Sequence, residues 1–179
     1  MGLASQIERV FRRGNGRLGR NLILVLLLVL ATWASRQFSS VSVGSVEGRP
    51  RLVDGDSFFI GATEVRMQGI DAPEGRQTCF RDGRDWRCGE EAKCELERAV
   101  GSASIRCDVH AKDQHGRALA TCTSATGQNL NQHMVQSGLA VAFGSYEAEE
   151  REARTARRGL WGSKFERPQD WRRRTNAGS

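Results

Sequence analysis

Residues 49–73 alternate between β-strand signals and turn signals, and this pattern constrains the fold more than any other part of the chain. Strand-forming residues lie on both sides of the turn signal Asp54-Gly55-Asp56. Side chains of different character then alternate along residues 64–70, which is the two-residue period of a strand with two different faces. Pro73 ends that strand because proline cannot donate to a sheet ladder. The segment therefore predicts neighbouring strands of one β-sheet.

The rest of the chain predicts helices and one hairpin. Helical spacing or end signals predict helices at about 89–100, 128–137 and 146–158. Ser145 is positioned to cap the last of these helices, and Gly159 to end it. Two strands, at 104–111 and 117–124, flank a turn between them. Strands, a helix, a hairpin and closing helices indicate an α+β fold, in which helices pack on a small barrel.

The net charge of the chain is not evenly distributed. The 179 residues carry a formal net charge of +6, but residues 1–34 contain five arginines and one acid. The remaining residues are therefore close to electrically balanced, with a net charge of +2. Overall basicity is consequently weak evidence for nucleic-acid binding, and any attraction for a polyanion must come from a local arrangement of charges.

An apolar segment follows the arginine-rich beginning. Residues 21–34 form a nearly unbroken apolar run without the polar face of a helix that packs on a soluble core. Arginines before the run predict a cytoplasmic N-terminus and an extracytoplasmic domain. We therefore expect a signal-anchor segment in the membrane. Because the run is shorter than a typical span, a signal peptide that is cleaved to give a secreted protein remains the alternative.

The predicted order of segments follows from these patterns. We expect a basic cytoplasmic stub at 1–20, a signal-anchor or transmembrane segment at 21–35, a linker at 36–44, the folded domain at 45–171, and a flexible tail at 172–179.

All five cysteines follow the apolar run, as expected for a domain that folds in an oxidising compartment. In the predicted hairpin, Cys107 lies opposite Cys122, where the pair can form a disulfide or pack as buried thiols. We favour this disulfide and a second one between Cys79 and Cys88. Cys94 is then left free, or available for an intermolecular disulfide.

Two segments concentrate the side chains that phosphodiester chemistry uses. They are Asp54-Gly55-Asp56-Ser57 through Arg66 to Asp71-Ala72-Pro73-Glu74, and Asp113-Gln114-His115-Gly116-Arg117. Carboxylates can hold a hard cation or activate water, and arginines can bind phosphate. Each piece alone is more often a solvated turn or strand end. Their conjunction, in this order, resembles the staphylococcal nuclease (thermonuclease) family.

That resemblance covers roughly residues 45–171 and implies a fold and an activity. The fold is an OB-fold five-stranded β-barrel with about three packed helices. The activity is Ca²⁺-dependent, sequence-unspecific cleavage of DNA and RNA, with single-stranded or denatured substrate preferred and 3′-phosphate ends left behind. Low specificity also fits the residues, because they contact the phosphate backbone and not base edges.

The residues that match the family motif receive the following expected roles. Asp56 and Asp71 are metal ligands, with the Ala72 carbonyl as a third, because Ca²⁺ prefers oxygen ligands. Glu74 stands at the position of the family's general base. Arg66 and Arg117 stabilise charge on the phosphate. Asp54 orders the turn or supports the metal ligands from behind.

Two departures from the family pattern leave other functions open. Ser57 stands where threonine is usual, and Gln114-His115 replaces a basic–aromatic pair that helps to hold substrate. One alternative is therefore a non-catalytic OB-fold module that binds nucleic acid or a protein at the cell envelope. Another is a scaffold linked to a partner through Cys94. We expect a monomer otherwise.

Overall fold

The computed structural model describes Val25, Leu27 and residues 43–176. Within the chain, Ser42–Ser179 group into one compact unit. The basic stub falls outside the described residues, and so does the predicted signal-anchor segment apart from Val25 and Leu27. In the part of the chain that is described, no helix has both the length and the apolar composition needed to span a bilayer.

Six strands form one curled, mixed sheet. Along the chain they are β1 (Gly44–Gly48), β2 (Pro50–Leu52), β3 (Ser57–Ile60), β4 (Thr63–Met67), β8 (Ile105–Lys112) and β9 (Ala118–Thr123). In space the order is β1-β8-β9-β4-β3-β2, and every pair is antiparallel except β4 with β9. Since only Arg49 separates β1 from β2, one bent stretch of chain forms both edges, and the sheet curls to bring them together.

Two pairs of short strands and four helices complete the described domain. The strands are β5 (Ile70–Asp71) with β10 (Val141–Ala142), and β6 (Cys79–Arg81) with β7 (Arg84–Trp86). The helices are α1 (Cys88–Val100), α2 (Leu130–Gln136), α3 (Glu147–Thr155) and α4 (Pro168–Asn176), and a 3₁₀ turn spans Gly159–Gly162. The α+β class is confirmed. The described residues contain four α-helices, whereas about three were expected.

Two predicted boundaries differ from the structure. Helix α3 begins at Glu147 after Tyr146, which has a φ of 67° and makes no side-chain capping bond. The prediction that Ser145 caps this helix is therefore wrong. At the C-terminal end, residues 172–176 belong to α4, so a helix occupies most of the segment that was expected to be a flexible tail.

The core lies between the concave side of the sheet and helices α1 and α2. Phe58, Val65 and Met67 contribute from β3 and β4, and Leu96 and Met134 from the helices, and each is at most 1 % exposed. Burying side chains of this size contributes roughly 1.5–3 kcal/mol each to folding. The alternation predicted for β4 is confirmed, since Val65 and Met67 point inward from this strand.

Both predicted disulfides are present. Cys79 bonds Cys88 and closes the loop between β5 and α1, and Cys107 bonds Cys122 directly across the hairpin of β8 and β9. Cys94 is free and exposed on α1, as expected.

Removal of the hairpin disulfide should destabilise the domain. Replacing Cys107 and Cys122 with alanine releases a 15-residue loop in the unfolded chain, which should lower the free energy of unfolding by about 3 kcal/mol. Urea denaturation of the oxidised protein, followed by tryptophan fluorescence, measures the change. Cys94→Ala is the matched control, with an expected change within about 0.5 kcal/mol. Equal stability of the double variant and the control would contradict the prediction.

Candidate active site

Strands β3, β4 and β5 bring three charged side chains to one end of the sheet. Asp56 directly precedes β3, and Arg66 lies opposite Ser57 in the register of β3 with β4. The chain then turns at Gly69, which has a φ of 81° and leaves 2.8 Å between a hypothetical Cβ and the Cβ of Ser145. Only glycine adopts this conformation readily in so little space. The turn places Asp71 beside Arg66.

Asp56 is a buried carboxylate whose two oxygens accept hydrogen bonds from three groups of the protein. Its Oδ1 accepts from Arg66 Nη1 at 2.9 Å and from Ser57 Oγ at 2.9 Å, and its Oδ2 accepts from the Ala72 backbone N–H at 2.8 Å. Asp54 orders the preceding turn as predicted, because its Oδ1 accepts from the Asp56 backbone N–H at 3.0 Å. Burial raises the pKa of Asp56 to about 7, against the opposing effect of Arg66.

Arg66 bridges the two predicted metal ligands. Besides its bond to Asp56, its Nη2 donates to Asp71 Oδ1 at 2.7 Å, and both carboxylates are almost fully buried. Two buried acids beside a partly buried guanidinium are stable only where geometry and hydrogen bonds offset the loss of solvation. In this arrangement, Arg66 organises the carboxylates and also lines the adjacent cleft.

Glu74 is held by its backbone, while its side chain is a quarter exposed. Its N–H donates to Gln77 Oε1 at 3.3 Å, and its carbonyl accepts from the Gln77 N–H at 2.7 Å. Gly89, in the first turn of α1, packs so closely on this segment that a Cβ there would lie 1.8 Å from the Glu74 carbonyl oxygen. The start of α1 thus fixes the path of the Glu74 loop.

Arg117 enters the site from the hairpin and is oriented by Asp113. Arg117 Nε donates to Asp113 Oδ2 at 2.7 Å, while Asp113 Oδ1 accepts from the backbone N–H groups of Arg117 and His115. Slight burial acts to raise the pKa of Asp113, but these hydrogen bonds outweigh it and hold the pKa below its ordinary value. Asp113, which the sequence motif contains, thus positions Arg117.

Arg172, on α4, is a member of the site that the sequence did not indicate. Its Nη1 donates to Glu74 Oε1 at 2.7 Å and lies 2.9 Å from Asp71 Oδ1, and its Nη2 donates to Asp71 Oδ2 at 3.0 Å. Although burial opposes it, these bonds hold the pKa of Arg172 above its ordinary value. Pro168 at the first helical position and arginines in the last turn were the available signals for a helix here.

These side chains line one cleft of about 960 Å³. The structure brings Arg66, Asp71, Glu74 and Arg117 to its walls, with Asp56 buried behind Arg66. Phe143, which is 60 % exposed, forms part of another wall, where its backbone N–H donates to the Gly69 carbonyl. Sequence reasoning missed this aromatic residue, because a lone phenylalanine after a short strand carries no distinctive pattern.

The donor chemistry suits a hard divalent cation, but the carboxylates already have partners. Every carboxylate oxygen of Asp56 and Asp71 accepts a bond from the protein. Over residues 43–176, no three His, Cys, Asp or Glu side chains are grouped so that they could enclose a metal ion. Asp71, next to the backbone of Ala72, offers oxygens of the preferred type once a guanidinium releases them. The residue types therefore fit a hard cation, on the condition that an arginine gives up its bonds to Asp71.

Alanine at Gly89 should disturb the Glu74 loop. Because the added methyl group would collide with the Glu74 backbone, we expect Gly89→Ala to lower the free energy of unfolding by about 1–3 kcal/mol, as overpacking does. Gly75→Ala is the control in the same loop, since a Cβ there meets no atom within 4 Å. Urea denaturation compares the free energies of unfolding of the two variants. An equal loss of stability in both would show that the close packing at Gly89 does not contribute to stability.

Comparison with known proteins adds the following similarities. A family model described as "Staphylococcal nuclease homologue" matches residues 64–163, which is more than half of the chain. The chain is 32% identical over 121 residues to Succinoglycan biosynthesis protein ExoI of Rhizobium meliloti (strain 1021), and 35% identical over 118 residues to Probable staphylococcal-like nuclease CAN2 of Oryza sativa subsp. japonica. These matches cover 64% and 61% of this chain, and 63% and 29% of the two relatives.

A third relative is matched over most of its length. The chain is 28% identical over 147 residues to an "Uncharacterized endonuclease" of Escherichia coli O157:H7, which corresponds to 76% of this chain and 86% of that protein.

Proposed function

The chain belongs to the family of staphylococcal nuclease homologues, and from this premise we propose that it is a nuclease that hydrolyses phosphodiester bonds of DNA and RNA without sequence specificity. The observation that carries the proposal is the convergence of Asp71, Glu74, Arg66 and Arg117 on one cleft, with Asp56 directly behind them. The curled sheet is then the OB-fold barrel of the family, whose bent first strand is β1 with β2.

Glu74 is the general base of this proposal. Its carboxylate accepts a proton from a water molecule as the water oxygen bonds to phosphorus. The bond from phosphorus to the 5′ oxygen breaks, the leaving oxygen takes up a proton, and the products are a 3′-phosphate and a 5′-hydroxyl. Ca²⁺, held by Asp56, Asp71 and the Ala72 carbonyl, would supply positive charge for the developing phosphorane.

Arg66 and Arg117 bind the phosphate in this mechanism. Arg117 has one guanidinium edge bonded to Asp113, which orients the group toward the cleft before substrate arrives. Such preorganisation makes a donor more effective, because little reorganisation accompanies the transition state. Arg66 serves from the floor of the site, and part of its bonding to the two aspartates is exchanged when phosphate binds.

Phe143 supports a preference for single-stranded or denatured substrate. Its exposed ring borders the same cleft as the phosphate-binding arginines. Stacking on an aromatic ring requires a base that has left its own stack, and every base has a face that can stack. The ring therefore supplies a contact in place of the aromatic residue that is absent before Gly116.

Residues 21–35 are proposed to anchor a monomeric chain in the membrane, with the nuclease domain on the extracytoplasmic side. The arginines that precede the apolar run and the cysteines that follow it support this orientation. Secretion after cleavage of the segment is the alternative. Cys94, free and exposed, is available for an intermolecular disulfide.

Loss of the base should abolish most of the activity. Glu74→Gln keeps the size of the side chain but cannot accept the proton, so we expect the rate of digestion of denatured DNA in Ca²⁺ to fall about 10²–10⁴-fold. Glu147→Gln, an exposed change on α3, is the matched control and should cut at the native rate. Excess chelator should stop native cutting. A native protein that binds single strands without cutting them would favour the binding module.

The dependence of cutting on pH should follow the ionisation of Asp56. Because its pKa is raised from 3.8 to about 7, folding favours its protonated form, and its contribution to stability declines as the pH rises through 7. A metal ligand must be ionised, so cutting should increase as the pH rises from 6 to 8. The measurement is kcat/KM as a function of pH, at a Ca²⁺ concentration below half-saturation. Under this condition the metal-free enzyme determines the pH profile. A profile already flat above pH 5 would contradict this assignment.

A further inference from the structure

Arg172 reaches the site from outside the part of the chain that the family model matches. The match ends at residue 163, whereas Arg172 lies on α4, which spans Pro168–Asn176. Its guanidinium nevertheless bonds two of the acids on which the proposed chemistry depends, Asp71 and Glu74. An element added after the matched domain therefore takes part in the charge arrangement of the cleft.

The oxygens that Arg172 covers are the ones that the proposed reaction needs. Among the described residues, Asp71 Oδ2 accepts a hydrogen bond only from Arg172, and Asp71 Oδ1 is shared by Arg172 and Arg66. The same guanidinium bonds Glu74 Oε1 at 2.7 Å. A divalent cation on Asp71 and the guanidinium of Arg172 compete for this carboxylate, since its lone pairs are few and two cations held side by side repel each other.

Helix α4 is attached to the domain independently of this contact. Arg174 pairs with Glu166 just before the helix, and the buried Gln77 side chain donates to the Glu166 carbonyl at 2.7 Å. Pro168 at the start of the helix is also buried. The Arg172 side chain, by contrast, is 32% exposed. Its guanidinium can therefore swing into the open cleft while the helix stays in place.

We infer that Arg172 is a further active-site residue that competes with the divalent cation for Asp71 and thereby lowers the affinity of the site for that cation. The inference rests on the proposed function, in which Asp71 is a metal ligand. Cation binding requires the guanidinium to leave Asp71 and, with it, Glu74. The observed affinity for the cation is therefore the intrinsic affinity multiplied by the fraction of molecules in which the ion pair is open.

Calcium affinity tests this competition directly. Isothermal titration of the full-length protein with CaCl₂ compares the native chain with Arg172→Gln, which keeps a polar side chain without its charge. If the ion pair is closed in nine of ten molecules, the variant binds Ca²⁺ about tenfold more tightly. Arg172→Lys should lie between the two, because lysine keeps the charge but not the forked contact with Asp71.

Arg173→Gln is the matched control. It removes the same charge from the next position of α4, where Arg173 pairs with Asp170 of its own helix. We expect its calcium affinity to stay within about twofold of the native value, because this exposed guanidinium borders the cleft but bonds Asp170 and neither Asp71 nor Glu74. An equal gain of calcium affinity in both variants would overturn the inference, because the loss of one positive charge near the cleft would then explain the gain. A loss of affinity in Arg172→Gln would also overturn it.

Two further outcomes separate the inference from the proposed function. If the native chain cuts denatured DNA but Arg172→Gln binds Ca²⁺ no more tightly, the nuclease stands and the competition fails. If Arg172→Gln binds Ca²⁺ tightly and neither chain cuts DNA, the competition stands and the nuclease fails.

Discussion

The buried carboxylate of Asp56 is the interaction on which the rest of the site depends. It receives hydrogen bonds from Ser57 on β3, from Arg66 on β4 and from the backbone of Ala72 beyond β5. These contacts join three consecutive strands at one end of the sheet. A charged group so deeply buried is costly unless its partners are in place, so the strands must adopt this geometry together.

Periodicity allowed much of this arrangement to be predicted. Alternation along β4 placed Val65 in the core and Arg66 on the opposite face, because side-chain direction in a strand depends only on position. Symmetry about the hairpin turn placed Cys107 opposite Cys122 for the same reason. Such features are local, and the chain determines them over a few residues.

Contacts between distant segments could not be predicted in this way. Arg172 and Asp71 are 101 positions apart, and no local pattern specifies which arginine of a charged helix will meet a particular acid. The start of α3 also differed, because Tyr146 takes a left-handed conformation where the sequence offered Ser145 as an ordinary cap. In both cases, tertiary packing determines which residue is used, because local sequence patterns do not distinguish the candidates.

The pairing of three acids with two arginines has an electrostatic consequence for substrate. When Asp56, Asp71 and Glu74 are all ionised, Arg66 and Arg172 leave the cluster with an excess of negative charge. That excess repels a phosphodiester. Under the inferred competition, exchanging Arg172 for a divalent ion would cancel the excess and free a guanidinium beside the cleft. The polyanion and the ion would then each strengthen the binding of the other, as thermodynamic linkage requires.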